Sequence, residues 1–215
     1  TICLEEDSAK IVEKKDEYAV YNLSRLGIPL VEIATAPDMK TPDQVKEVAE
    51  KLGMMLRSTG KVKRGLGTIR QDLNISIKGG KRIEIKGAQD LHDIPRIVEY
   101  EVKRQQNMLQ LAEKLQNIPL LKQQPSLDLT KIFANTECAF LQKAIKENKG
   151  IYGLRIPGFT GLLGTELMPN HRVGTEISDK TKLVTGAGIV HSDELPKFGI
   201  SEHEVAMIRE KLSCS

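Results

Sequence analysis

Between Thr68 and Lys86 apolar and polar positions alternate with a period of two. Ile69, Gln71, Leu73, Ile75 and Ile77 fall on one face, and Thr68, Arg70, Asp72, Asn74, Ser76 and Lys78 on the other. After Gly79-Gly80, Ile83 and Ile85 continue the apolar face while Arg82, Glu84 and Lys86 continue the polar one. Such alternation predicts a hairpin with one buried face. A two-residue Gly-Gly loop would set Ile75 opposite Glu84 and mix apolar with acidic on a single face. A three-residue loop, 78–80 or 79–81, keeps both faces consistent and predicts a glycine at positive φ. Arg70, Asp72, Asn74, Glu84 and Lys86 then cluster on the exposed face.

Strands are predicted for Ile2 to Asp7, Tyr18 to Leu23 and Leu30 to Thr35, with Gly27-Ile28-Pro29 as a turn. A helix is predicted for Thr41 to Ser58. Thr41 suits the N-cap, Pro42 the first helical position and Asp43 the positive helix start. Val45, Val48, Ala49, Leu52 and Leu56 share one face of it, and Gly60 is a natural stop. A long helix is predicted from Ile94 to Leu115, stopped at Asn117-Ile118-Pro119. Pro119 and Pro125 mark a linker, and a second unit follows. In it Thr136 to Asn148 and Glu202 to Leu212 read as helices, and the glycine-dense stretch Ile151 to Ile189 as a short-stranded α+β module with many turns. The order of elements predicts an α+β fold.

The 215 residues, 40% hydrophobic, suffice for one large domain or two modest ones and argue against disorder. A net charge of +3 permits a nucleic-acid partner without requiring one. Cys3, Cys138 and Cys214 are sparse and odd in number, with no spacing suited to zinc, which fits reduced thiols in a cytosol. No apolar run approaches the roughly 18 residues of a membrane span, and no signal peptide is evident. A start at Thr1 and an end at Ser215 just past a helical pattern lead to the expectation that both ends are cut from a longer protein.

The hairpin's polar face carries the most chemistry. Asp72 and Glu84, with Glu5 or Glu6 nearby, have the oxygen ligands that Mg2+ prefers, and Arg70 and Lys86 suit phosphate. A solvated sheet face with cross-strand ion pairs explains the same spacing. In a strand Glu5 and Glu6 point to opposite sides, so one of them joins the cluster more easily. The glycine loops lack a nucleotide fingerprint: from Gly60 to Gly67 the spacing starts like a P-loop, but Leu66-Gly67 stands where Lys-Ser or Lys-Thr is required. Lys61, Lys63 and Arg64 form a basic loop. His92, His171, His191 and His203 are scattered, and a structural role is the plainer reading for His191.

Several separated blocks resemble the B/E family of tRNA-dependent amidotransferases. They are Leu4-Glu5-Glu6-Asp7-Ser8-Ala9-Lys10, Tyr21-Asn22, Gly27 to Ile33, Pro37-Asp38, Gly67 to Ser76, Arg82 to Lys86 and Glu99-Tyr100-Glu101, in family order. Tyr152 to Phe159, Gly174-Thr175-Glu176, Gly188-Ile189 and Asp193-Glu194-Leu195-Pro196 look like a domain shared by the archaeal E branch and bacterial-type aspartyl-tRNA synthetases. Cys3, where B-branch members often have His, and Gly87-Ala88-Gln89 after Lys86 also fit the E branch. The resemblance implies an incomplete catalytic cradle of mixed or antiparallel sheet with helices over 1–116, a linker over 117–130, and an aspartyl-tRNA-synthetase-like inserted α+β domain over 131–215.

It further implies ATP-dependent amidation of Glu-tRNA(Gln) through a γ-phosphoryl-glutamyl intermediate, a carbon–nitrogen ligase reaction with glutamine as the amido source. Arg70, Asp72, Glu84 and Lys86 would be catalytic. Arg70, Asn74 and Lys86 would contact ATP, and Glu5, Glu6, Asp72 and Glu84 would lie near Mg2+. Ammonia would come from an asparaginase-like D subunit in a cytoplasmic hetero-oligomer with no membrane association. Further active-site residues are expected upstream of Thr1 and tRNA-binding helical parts beyond Ser215. The alternative from another class is a non-catalytic tRNA-binding or assembly module on the same scaffold.

Overall fold

The structure, a computed structural model, describes every residue except 66, 117, 119–124 and 215. It opens with two antiparallel ribbons, one nested in the other. Strand β1 (Ile2–Glu6) pairs with β4 (Pro29–Ile33), and between them β2 (Lys10–Lys14) pairs with β3 (Ala19–Asn22). β2 goes beyond the sequence expectation, because its lysines and glutamates mask a ribbon that is exposed along its length. Helix α1 (Pro42–Ser58) begins as expected. Thr41 Oγ1 accepts the Gln44 N–H at 3.3 Å, and Gln44 Oε1 accepts the Thr41 N–H at 3.2 Å. This reciprocal cap satisfies two otherwise orphaned donors. Thr41→Ala is expected to cost about 1 kcal/mol, read as a lower urea midpoint with unchanged slope.

The hairpin is shorter than its alternation suggests. Its strands are β5 (Leu73–Ile75) and β6 (Ile83–Ile85), paired Leu73↔Ile85, Asn74↔Glu84 and Ile75↔Ile83. This is the register of the three-residue 78–80 loop. The Gly80 N–H donates to the Ile77 carbonyl at 2.9 Å, and Gly79 takes φ +82°. Residues 68–72 are not strand, because Gly65 and Gly67 take positive φ and the Thr68 hydroxyl donates to the Gly65 carbonyl, closing a turn there. The alternation of faces survives: Leu73 and Ile75 are buried and Asn74 is exposed. Leu73 and Ile75 join Ala88, Ile94 and Val98 in a first core, against which Val45 and Ala49 of α1 pack.

Helix α2 (Ile94–Gln116) carries that core on its first half. Its second half supplies Leu111, Met108 and Leu115 to a second core with Leu163, Leu167 and Val173. A third core, around Leu129, Phe133, Cys138 and Ile200, belongs to the rest of the second half. Within the span expected to be linker, Leu127-Asp128 forms β7 and pairs with β8 (Tyr152–Gly153), and Leu129 is buried; residues 117 and 119–124 of that span lie outside the described residues.

Helix α3 (Ala139–Lys146) starts three residues later than expected. Thr136 is committed to a turn instead: its hydroxyl accepts the Cys138 N–H and its carbonyl accepts from Gln142. β9 (Glu166–Met168) and β10 (His171–Arg172) lead into α4 (Val173–Thr185), the helix of the stretch expected to be a short-stranded α+β module, whose bounds the sequence reading does not give. Its β-branched residues obscure the pattern. Helix α5 (Glu202–Leu212) is capped by Ser201 with Glu204, as α1 is by Thr41 with Gln44. Every sheet among the described residues is a two-stranded antiparallel pair, and with five α-helices the fold is α+β.

Candidate active site

The exposed face of the hairpin gathers two of the expected carboxylates around one expected cation. Lys86 Nζ lies 3.4 Å from Asp72 Oδ2 and 3.4 Å from Glu84 Oε2. The Glu84 and Asp72 charges, in that order, raise the Lys86 ammonium above its ordinary range. The Gly87 N–H donates to Asp72 Oδ1 at 3.3 Å, so Asp72 is oriented at both oxygens. Asn74 sits directly across the ladder from Glu84. The local reason is the pleat: β5 and β6 bury their apolar residues against α1 and α2, which leaves every intervening side chain on the solvent side.

The β1–β4 ribbon resolves which of the first two acids faces this cluster. Glu5 pairs with Leu30 and Cys3 with Glu32, so Glu5, Cys3 and Glu32 share a face. Glu5, by hydrogen bond and then by charge, holds the Glu32 carboxyl above its usual range; Asp72 adds to this and Lys86 opposes it. Glu5 and Glu32 thus stand beside Asp72 and Lys86. Glu6 pairs with Pro29 and lies on the opposite face, with Ile2 and Leu4. Arg70 is directed to Asp7, 3.6 Å from Oδ2, and Arg25 meets the same oxygen at 2.5 Å.

Asp7, Arg25 and Glu32 are additions to the residues expected from sequence. The signal for Glu32 is an acid set among Leu30, Val31 and Ile33 on a strand. Asp7 closes the acidic run, and its backbone anchors the ribbon: its N–H donates to the Ile28 carbonyl, and its carbonyl accepts the Gly27 N–H. The histidines lie elsewhere. His191 is buried with its ring pressed against Gly174, where an added Cβ would collide with Nε2. That is a packing role.

Among the described residues no group of three His, Cys, Asp or Glu side chains could hold a metal ion. Magnesium asks for less, since one or two carboxylates suffice when phosphate and water fill the remaining positions. Glu5 and Glu32 repel each other when both are ionised and share a hydrogen bond only when one holds a proton, an arrangement that a cation relieves, so these residues fit Mg2+. A raised folded-state value means that any stability from Glu32 is present at pH below its unfolded value and is lost as pH rises through the folded one. Glu5→Gln is therefore expected to return the Glu32 titration toward the ordinary glutamate range, read by carbon NMR of the carboxyl.

The family described as GatB/GatE catalytic domain matches residues 1–185. The E subunit of a glutamyl-tRNA(Gln) amidotransferase from Methanocaldococcus jannaschii is 50% identical over 98% of this chain and 34% of its own length. Proteins of the same description from Pyrococcus abyssi and Sulfurisphaera tokodaii are 50% and 49% identical, over 100% and 99% of this chain and 34% and 35% of their own. The chain thus spans about a third of the length of these curated relatives. The match runs unbroken from the acidic ribbon through the hairpin to the end of α4, and on that ground the chain belongs to the GatB/GatE catalytic-domain family.

Proposed function

We propose that this chain is part of an ATP-dependent ligase that converts Glu-tRNA(Gln) to Gln-tRNA(Gln). The reading is supported by family membership, by the names its relatives carry, and above all by one observation: Asp72, Glu84 and Lys86 converge beside Glu5 and Glu32. An ionised carboxylate is a poor acylating agent, and a phosphate leaving group corrects that. In the proposed reaction an oxygen of the glutamyl side chain attacks the γ-phosphorus of ATP and ADP departs. Ammonia then attacks the acyl carbon, phosphate leaves, and a proton is lost to give the amide.

Such chemistry depends on positioning and on neutralising phosphate charge. Lys86 and Arg70 are the cations for the phosphates, with Asn74 as a neutral hydrogen-bonding neighbour. Glu5 and Glu32, with Asp72 and Glu84, would hold Mg2+, which would supply further positive charge when bound. Glu6, on the far face of β1, has the weaker claim. Ammonia comes, in this reading, from an asparaginase-like D subunit. The module over 131–215 is proposed as the insertion akin to that of aspartyl-tRNA synthetases. A cytoplasmic setting is part of the same reading. No helix among the described residues is long and apolar enough to cross a membrane.

The test follows conversion of Glu-tRNA(Gln) by the full-length protein with its partner, given free ammonia, with and without ATP. Conversion that requires ATP establishes the reading. Tight, salt-sensitive tRNA binding without conversion replaces it with a binding module.

A further inference from the structure

Gln105, on the inward face of α2, is 4% exposed and uses both ends of its amide on the hairpin. Nε2 donates to the Ile75 carbonyl at 3.2 Å and to Glu101 Oε1 at 2.8 Å, while Oε1 accepts the Ile77 N–H at 3.4 Å. The turn closes over the same group, since a Cβ added to Gly80 would collide with Gln105 Oε1. Glu101, 5% exposed, is gripped by Arg104, with Nε to Oε2 at 2.8 Å and Nη2 to Oε1 at 3.0 Å. Arg104 Nη1 reaches Glu176 Oε1 on α4 at 3.5 Å, and Glu176 Oε2 meets His171 Nε2 at 2.9 Å. An unbroken polar strut therefore runs from β5 through α2 to α4.

Stability alone does not call for such a strut, because apolar packing of equal volume serves as well as a buried ion pair. Apolar packing lacks direction. Hydrogen bonds to the Ile75 carbonyl and the Ile77 N–H fix the height of β5 and its turn on α2; Asn74 stands beside the segment so held, and Glu84 on β6 is paired to it across the ladder.

We propose that Gln105 is a positioning residue for the polar face of the hairpin, and that Glu101, Arg104 and Glu176 tie its setting to the seating of α4 on α2. The catalytic consequence rests on the amidation reading; the mechanical one does not.

Two variants test it in the full-length protein with its partner. Gln105→Met keeps length and volume but removes all three hydrogen bonds of the amide, two of them to the hairpin. Glu176→Gln removes one charge at the far end of the strut and leaves all three cores untouched. Amide hydrogen exchange of the segment containing Ile77 is read alongside steady-state amidation. Exchange is expected to quicken about tenfold in Gln105→Met and roughly threefold in Glu176→Gln, as loss of one or two hydrogen bonds implies. Turnover (kcat) should fall by similar factors with KM for ATP held within about twofold, the pattern of a misplaced transition-state contact.

Unchanged exchange in Glu176→Gln overturns the strut, and that variant decides alone if Gln105→Met does not fold. Faster exchange with unchanged kcat overturns the positioning role. A wild-type complex without ATP-dependent conversion overturns the amidation reading, and the exchange result still decides the strut.

Discussion

Asp72→Ala in the full-length protein is expected to lower ATP-dependent amidation by about a hundredfold or more, the range seen when one preorganised charge-stabilising group is removed. Asp72 is well placed for so large an effect and poorly placed for a structural one. Its side chain is 42% exposed, so the cores do not depend on it. It holds Lys86 with one oxygen and the Gly87 N–H with the other, and it faces the Glu5–Glu32 pair. Removal frees Lys86 to collapse onto Glu84 and takes away a candidate magnesium ligand together. Asp72→Asn separates the roles: it keeps an acceptor for Gly87 and loses the charge. If charge is what matters, the two variants should be equally impaired at unchanged urea midpoint. Full activity in Asp72→Ala would remove this residue from the site.

Leu167→Ala should be the most damaging of these changes to the fold, at about 2–5 kcal/mol, within the range for truncating a fully buried leucine. Leu167 is 0% exposed, the centre of the core shared by α2 and the 159–173 segment. Its carbonyl also accepts from Asn107 Nδ2 at 2.8 Å, so the lost side chain lies beside a hydrogen bond between the same elements. Urea unfolding followed by circular dichroism should show the midpoint shift. A change below about 1 kcal/mol would mean that the cavity collapses and that this core is not tightly packed.

Where local chemistry decides, the chain was readable. Thr41-Pro42-Asp43-Gln44 announces a helix start, and the structure builds the cap from these residues. The mismatch of Glu84 against Ile75 rules out the two-residue hairpin loop, and the ladder avoids it; the choice between the 78–80 and 79–81 loops needs the structure, which takes the first. What escaped depends on partners far apart in sequence. Glu32 gains its meaning from Glu5 across the ribbon and Asp72 beyond it.

Glu101 and Gln105 are polar residues four apart on the face of α2 that also carries Ile94 and Val98, a signal of a buried network that the sequence reading does not use. Their contacts, with Ile75 on one side and Arg104 on the other, require the fold. The late start of α3 has the same cause in miniature: Thr136 prefers capping bonds to a helical turn.

Helix α2 serves two cores along a single axis, and that makes it a ruler. At about 1.5 Å and 100° per residue, inserting one position after Gln105, or deleting Gln106, would swing Asn107, Met108 and Leu111 off the 159–173 segment while the hairpin stayed fixed to Gln105. Its length there is effectively quantised. Members of this lineage should vary freely in the turns around it, and should change this stretch, if at all, only in steps that restore the helical phase.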